Sequence, residues 1–92
     1  MWVVLESTET QKAVRRLQPE IVARYEFWKN VVKQSGPQGL RAFKGMHDES
    51  LSGKLKGLRS SRLNKTYRII YEVHKETVSV HVIDINAHDY RR

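Results

Sequence analysis

Thr66-Tyr67-Arg68-Ile69-Ile70-Tyr71-Glu72-Val73-His74 is the stretch on which the fold turns. In an extended chain successive side chains point to opposite faces, so Tyr67, Ile69, Tyr71 and Val73 fall on one side and Arg68, Ile70, Glu72 and His74 on the other. That period predicts a strand with one face on a core. Downstream, His74 to Thr77 reads as a turn, and Val78, Val80 and Val82 continue the buried face. Ile83 and Ile85 then break the alternation, which predicts a bulge or a two-sided strand before the tail Asn86 to Arg92. Upstream, Leu58 to Leu63 reads as a short strand. Asn64-Lys65 is its tight hairpin connection, with Asn expected to tolerate positive φ.

The first third of the chain has a different period. Trp2 to Glu6 is β-branched and apolar enough for a first strand, and Thr8 with Gln11 has the spacing of a capping box at a helix start. Val14 and Leu17 extend an apolar stripe until Pro19, which suits the first turn of a second helix. Ile21, Tyr25, Trp28 and Val32 recur at four, three and four residues, one face of a 3.6-residue period, and Ser35-Gly36-Pro37 ends the run. An aromatic stripe at helical spacing belongs to a core before it belongs to a stacking platform. From Gln38 to Lys56 the pattern weakens, with one helical turn around Leu40 and Phe43 and then a polar stretch through Gly45, His47, Asp48, Glu49 and Gly53. A segment of that length in so small a domain is usually functional or mobile. The expected class is α+β in the order β-α-α-β-β-β, an antiparallel-rich sheet with a helix hairpin on one face.

Bulk properties narrow the function. The chain has 92 residues and no cysteine, so residues 1–92 are expected to form a single domain held by packing alone, with no disulfide or thiolate metal site. The longest apolar run, Trp2 to Leu5, is far too short to span a bilayer, and the N-terminus lacks the basic and apolar regions of a signal peptide; a soluble cytoplasmic protein without a membrane role is expected. Seventeen Lys and Arg against ten Asp and Glu leave a net charge of +7. Lys54, Lys56, Arg59, Arg62, Lys65 and Arg68 fall within fifteen residues that hold no acidic side chain. Such a concentration favours a polyanionic partner, although a solvated basic face would also keep the protein soluble. The four histidines are dispersed without HxH or HxxxH spacing, which argues against a metal site. GxGxxG, GxxxxGK[ST] and GxSxG are all missing, leaving nucleotide-hydrolase and serine-hydrolase readings without support.

The run Glu49-Ser50-Leu51-Ser52-Gly53-Lys54-Leu55-Lys56-Gly57-Leu58-Arg59-Ser60-Ser61-Arg62-Leu63-Asn64-Lys65-Thr66-Tyr67-Arg68-Ile69-Ile70-Tyr71 resembles the central motif of the RelE/ParE toxin superfamily, closest to its RelE, YoeB and HigB-type mRNA interferases. Leu55-Lys56-Gly57, Ser60-x-Arg62-Leu63 and Tyr67-Arg68-Ile69-Ile70-Tyr71 fall in the family's order and spacing. With the terminal His88-Asp89-Tyr90-Arg91-Arg92, the likeness covers the second half of the chain by motif and the first half by pattern. The resemblance implies a RelE-like microbial ribonuclease fold and a type II toxin–antitoxin toxin that cleaves mRNA on the ribosome. It implies Glu49, Arg68, His88 and Tyr90 as catalytic residues, and Lys54, Lys56, Arg59, Arg62 and Lys65 as RNA contacts. Asp89 separates His88 from Tyr90, two residues that are adjacent in YoeB-like toxins.

The chemistry asks for these residue types. When an RNA's own 2′-OH attacks the scissile phosphate, a base takes its proton, a cation stabilises the phosphorane-like transition state, and an acid protonates the 5′-oxygen. Glu49 or His88 can be the base, Arg68 the phosphate-matching fork, His88 the leading acid, and Tyr90 a phosphate-orienting or base-stacking group. In RelE itself lysines and arginines replace the glutamate, a part open here to Lys54, Lys56 and Arg62. No metal or organic cofactor is required. The implied partners are a cognate antitoxin, the ribosome and mRNA, with a homodimer or a toxin–antitoxin hetero-oligomer as possible assemblies. Two rival readings remain: a ParE-type inhibitor of DNA gyrase without nuclease activity, which keeps the fold and the strand motif, and a non-catalytic nucleic-acid-binding module, for which the basic face is sufficient.

Overall fold

A computed structural model of the chain describes residues 1–87. Strand β1 (Val3–Glu6) leads into helices α1 (Thr8–Arg15) and α2 (Pro19–Ser35); strands β2 (Glu49–Ser50), β3 (Arg59–Arg62), β4 (Tyr67–His74) and β5 (Ser79–Ala87) follow. The strands form one sheet in the order β1-β5-β4-β3-β2, in which only β1 and β5 run parallel. The expected α+β class and helix hairpin are present. The difference is β2, a two-residue edge strand inside what reads as a loop, joined to its neighbours by 3₁₀ turns at Pro37–Ala42, Lys44–Met46 and Gly53–Leu55.

The period of α2 becomes its buried face. Ile21, Tyr25, Trp28 and Val32 are all buried, and they pack with Leu40, Leu63, Ile69, Tyr71, Val80 and Val82 into one core. Trp28 sets the sheet against the helix: its ring meets Tyr71 edge-on at 5.2 Å between centroids, and its Nε1 donates to Ser61 Oγ at 3.0 Å. Burying a side chain of that size stabilises by about 3 kcal/mol, and the hydrogen bond removes the cost of hiding the indole N–H. At the other side of the sheet Tyr25 donates its hydroxyl to Glu6 at 2.5 Å and Lys29 reaches the same carboxylate at 3.5 Å, tying α2 to β1. Burial and the Glu6 carboxylate both push the Tyr25 phenol up from its ordinary value.

Four local expectations are corrected. The cap of α1 is Ser7, whose Oγ accepts from Thr10 N at 3.0 Å; Thr8 is already helical, so the capping pair lies one residue earlier than Thr8 and Gln11. Asn64 works through its side chain and not through positive φ, its Oδ1 accepting from the amides of Thr66 and Tyr67 at 2.8 and 2.7 Å. Val78 leaves the buried face because the chain reverses at the 3₁₀ turn Lys75–Thr77. That turn ends with Val78 left-handed, at φ 50°, and exposed. Gln38 to Lys56, expected to hold a single helical turn, contains three. The bulge does fall where Ile83 and Ile85 break the alternation: Ile70 pairs with Asp84 and Tyr71 with Val82, leaving Ile83 between them and exposed.

Candidate active site

Residues directly opposite in a ladder share a face of the sheet. Ile69 and Tyr71 face the helices, so their neighbours Arg68 and Ile70 belong to the helix-free face. Two transverse rows follow from the register: Glu49, Ser60, Ile70 and Asp84, then Arg62, Arg68 and Asn86. With strands about 4.8 Å apart and a rise of about 3.4 Å per residue, the backbone of Glu49 stands roughly 8 Å from that of Arg62 and roughly 12 Å from that of Arg68. Glutamate and arginine side chains span such gaps around a phosphodiester. Glu49 is exposed and the two arginines are half-buried. His88 and Tyr90 lie outside the described residues.

Arg68 is oriented by β5. Its Nε donates to Asn86 Oδ1 at 3.4 Å, and Asn86 Nδ2 donates to Asp84 Oδ2 at 2.7 Å. Sequence reasoning missed Asn86 and Asp84. Their alternation about Ile85 was the available signal, obscured by the parity change at the bulge. Lys54 and Lys56 are exposed in and after the 3₁₀ turn before β3, and Lys65 is exposed in the β3–β4 connection.

Arg59 is a different matter. It stands opposite Tyr71, on the helix side of the sheet, because it lies a step of three positions from Arg62 and an odd step in a strand changes face. Its Nη2 and Nε donate to Asp48 Oδ2 at 2.6 and 3.2 Å, and its Nη1 donates to Ser50 Oγ at 3.2 Å. This guanidinium is bonded to Asp48 and Ser50 on the helix side of the sheet, the opposite face from Arg62 and Arg68. The Asp48 side chain is only 1 % exposed, and its Oδ1 accepts from Ser61 Oγ at 2.7 Å and from the Tyr71 hydroxyl. Burial and the Asp48 carboxylate push the Tyr71 phenol up, with Arg59 opposing them; burial pulls the Arg59 guanidinium down, but its bonds to Asp48 and Tyr71 leave it raised.

Where β3 runs past the short β2, an apolar cleft of about 570 Å³ opens between α2 and the Lys44–Met46 turn. Phe27 and Phe43, both well exposed, pack edge-to-face at 5.1 Å in it. Arg24, Lys44 and Arg62 stand among the lining residues, and no acidic side chain does. Arg62 therefore borders both the cleft and the helix-free face. Among the described residues no group of three His, Cys, Asp or Glu side chains is placed to hold a metal ion.

Neither a protein-family model nor a curated protein sequence matches the chain. Solved structures do. The archaeal RelE–RelB complex from Pyrococcus horikoshii contains a chain that superposes with a TM-score of 0.75 at 19% identity, over 94% of this chain and 93% of that one. This chain has the RelE-type toxin fold. The same RelE-type fold recurs in the YoeB/ParE toxin from Agrobacterium tumefaciens, with a TM-score of 0.73 at 19% identity over 95% of this chain and 99% of that one. It recurs again in the YoeB–YefM complex from Staphylococcus aureus, with a TM-score of 0.70 at 17% identity over 97% and 99%. No helix of the described residues is long and apolar enough to cross a membrane.

Proposed function

We propose that this protein is the toxin of a type II toxin–antitoxin system and an endoribonuclease that cleaves mRNA on the ribosome in the cytoplasm. The observation that supports this reading is the sheet register, which gives Glu49, Arg62 and Arg68 the same helix-free face. That face carries a carboxylate and two permanent cations whose side chains are long enough to reach one phosphodiester. Glu49 takes the proton of the 2′-OH, whose oxygen bonds to phosphorus as the bond to the 5′-oxygen breaks, leaving a 2′,3′-cyclic phosphate. Arg68, held by Asn86, donates to the non-bridging oxygens where charge accumulates. Protonated His88 donates its own proton to the departing 5′-oxygen and Tyr90 orients the phosphate. Arg62 with Lys54, Lys56 and Lys65 engages the flanking backbone electrostatically.

The antitoxin reading draws on the cleft. Its apolar floor and cationic rim suit an acidic segment anchored by apolar side chains, and Arg62 would then be shared between antitoxin and RNA. Purified protein added to a translating extract tests the function. Arrest with mRNA fragments ending in cyclic phosphate is expected, about 10²- to 10³-fold weaker for Arg68→Ala, while gyrase supercoiling is unchanged. Intact mRNA with accumulating gyrase-linked DNA breaks would assign the protein to the ParE type.

A further inference from the structure

We infer that Asp48 is a positioning residue for Glu49, acting through Arg59; this rests on the reading of Glu49 as the base. Little else holds Glu49. Its strand is two residues long, at the edge of the sheet, and its pairs with β3 are Glu49 to Ser60 and Ser50 to Arg59. So short an edge strand frays unless its side chains are tied down. Residues 48 and 50 point away from the face that Glu49 occupies. Both are gripped there by one guanidinium: Arg59 donates to Asp48 at 2.6 and 3.2 Å and to Ser50 at 3.2 Å.

The grip is anchored in the core. Asp48 Oδ1 also takes the hydroxyls of Ser61 and Tyr71, and both of these touch Trp28, through the indole N–H and the edge-to-face ring contact. A chain of contacts thus runs from α2 through the sheet to the residues on either side of Glu49. A carboxylate is the group that fits, because its two oxygens accept four bonds and its charge balances Arg59. His47, at φ 44°, turns the backbone just before Asp48, so the anchor and the strand begin together. A buried ion pair adds little net stability compared with well-packed apolar groups, whereas it does hold one geometry. The geometry held here is the direction of Glu49.

The test is a kinetic cycle with an exchange measurement beside it. Asp48→Asn should lower kcat about 10²-fold with KM little changed, the loss expected for a reacting group displaced by about 1 Å. In a Glu49→Gln background the same change should cost almost nothing, since there is no base left to misplace. Independently of activity, the Leu51 amide, which donates to Leu58 O at 2.9 Å, should exchange at least tenfold faster in Asp48→Asn while amides of the β4–β5 ladder keep their rates. Arg59→Lys, which keeps the charge but loses the fork, should repeat both results if the Asn variant does not fold. Unchanged Leu51 exchange, or losses that multiply in the double variant, would overturn the inference. Full activity of Glu49→Gln alone would overturn the assignment of the base, and the exchange result would still judge the anchor.

Discussion

Replacing Gly36 by alanine tests the packing around the end of α2. Gly36 lies at φ 78° and ψ 173°, a region that only glycine enters freely, and an added Cβ would stand 2.7 Å from Trp2 Nε1, 2.8 Å from Gln38 Oε1 and 3.2 Å from Trp2 Cδ1. Gln38 can swing its amide aside. Trp2 has less freedom, because its ring packs against the core and its amide donates to Lys33 O at 3.2 Å. The backbone conformation costs about 1–3 kcal/mol for a non-glycine residue, and forcing the indole aside adds about 1–3 kcal/mol. The reduced freedom of the unfolded chain returns roughly 0.5 kcal/mol. A net loss of about 1.5–5.5 kcal/mol is expected, which in a domain of this size lowers Tm by roughly 6 to 40 °C. Gly53→Ala is the control: φ is also positive, at 65°, but nothing lies within 4 Å of the added carbon, so a loss of about 1 kcal/mol is expected. Urea unfolding of both variants gives the comparison, and repeating Gly36→Ala in a Trp2→Ala background isolates the clash. Equal losses at the two glycines, or an undiminished loss without Trp2, would refute the reasoning.

Alkaline pH should unfold the protein earlier than its lysines alone would. Tyr25 and Tyr71 are held above the ordinary phenol value of 10.0 in the fold, so their contribution is complete below pH 10 and is lost as pH rises toward their folded values. Above pH 10 the unfolded chain binds up to two fewer protons, and urea titrations should show stability falling by up to about 2.7 kcal/mol per pH unit, halved by Tyr71→Phe. Val78→Gly should raise stability by about 1 kcal/mol in the same assay, because a β-branched residue is strained in the left-handed region. No gain would mean that the exposed Val78 side chain contributes packing that offsets its strain. Arg62→Gln and Arg68→Gln should each reduce the slope of log K for RNA against log salt by about 0.7, one phosphate contact apiece, whereas Lys12→Gln on α1 leaves it unchanged. Equal effects from all three would point to diffuse attraction without a defined face.

Much of this molecule was readable from periodicity, because core contacts repeat along an element. Ile21, Tyr25, Trp28 and Val32, and then Ile69 and Tyr71, declared their faces, and Ile83 declared the bulge by interrupting the alternation. Where the deciding interaction joins residues distant in sequence, no period announces it. Asp48, Arg59, Ser61 and Tyr71 converge only once β3 and β4 are paired, so β2 read as loop and the Asp48–Arg59 pair went unseen. The step of three between Arg59 and Arg62 was legible, and taken as a strand interval it separates their faces. Val78 illustrates the opposite failure. Its apolar side chain matched the pattern, but the reversal at Lys75–Thr77 demanded a left-handed residue there.

The parallel pairing of β1 with β5 bears on when this protein becomes able to act. β5 ends at Ala87 and lies between β1 and β4, so the strand made last among those described occupies an interior position in the sheet. During synthesis β1 waits without its partner while more than seventy residues are added, from Glu6 at its end to Ser79 at the start of β5. Local elements such as the helix hairpin can form early, but joining the two ends of the chain requires closing its longest loop, the slow step in folds of high contact order. Until β5 has left the ribosome, a nascent chain cannot complete the sheet that brings Arg68 to Asn86. Completion of the helix-free face waits for β5, and in that interval a partner can meet the helix hairpin before the face exists.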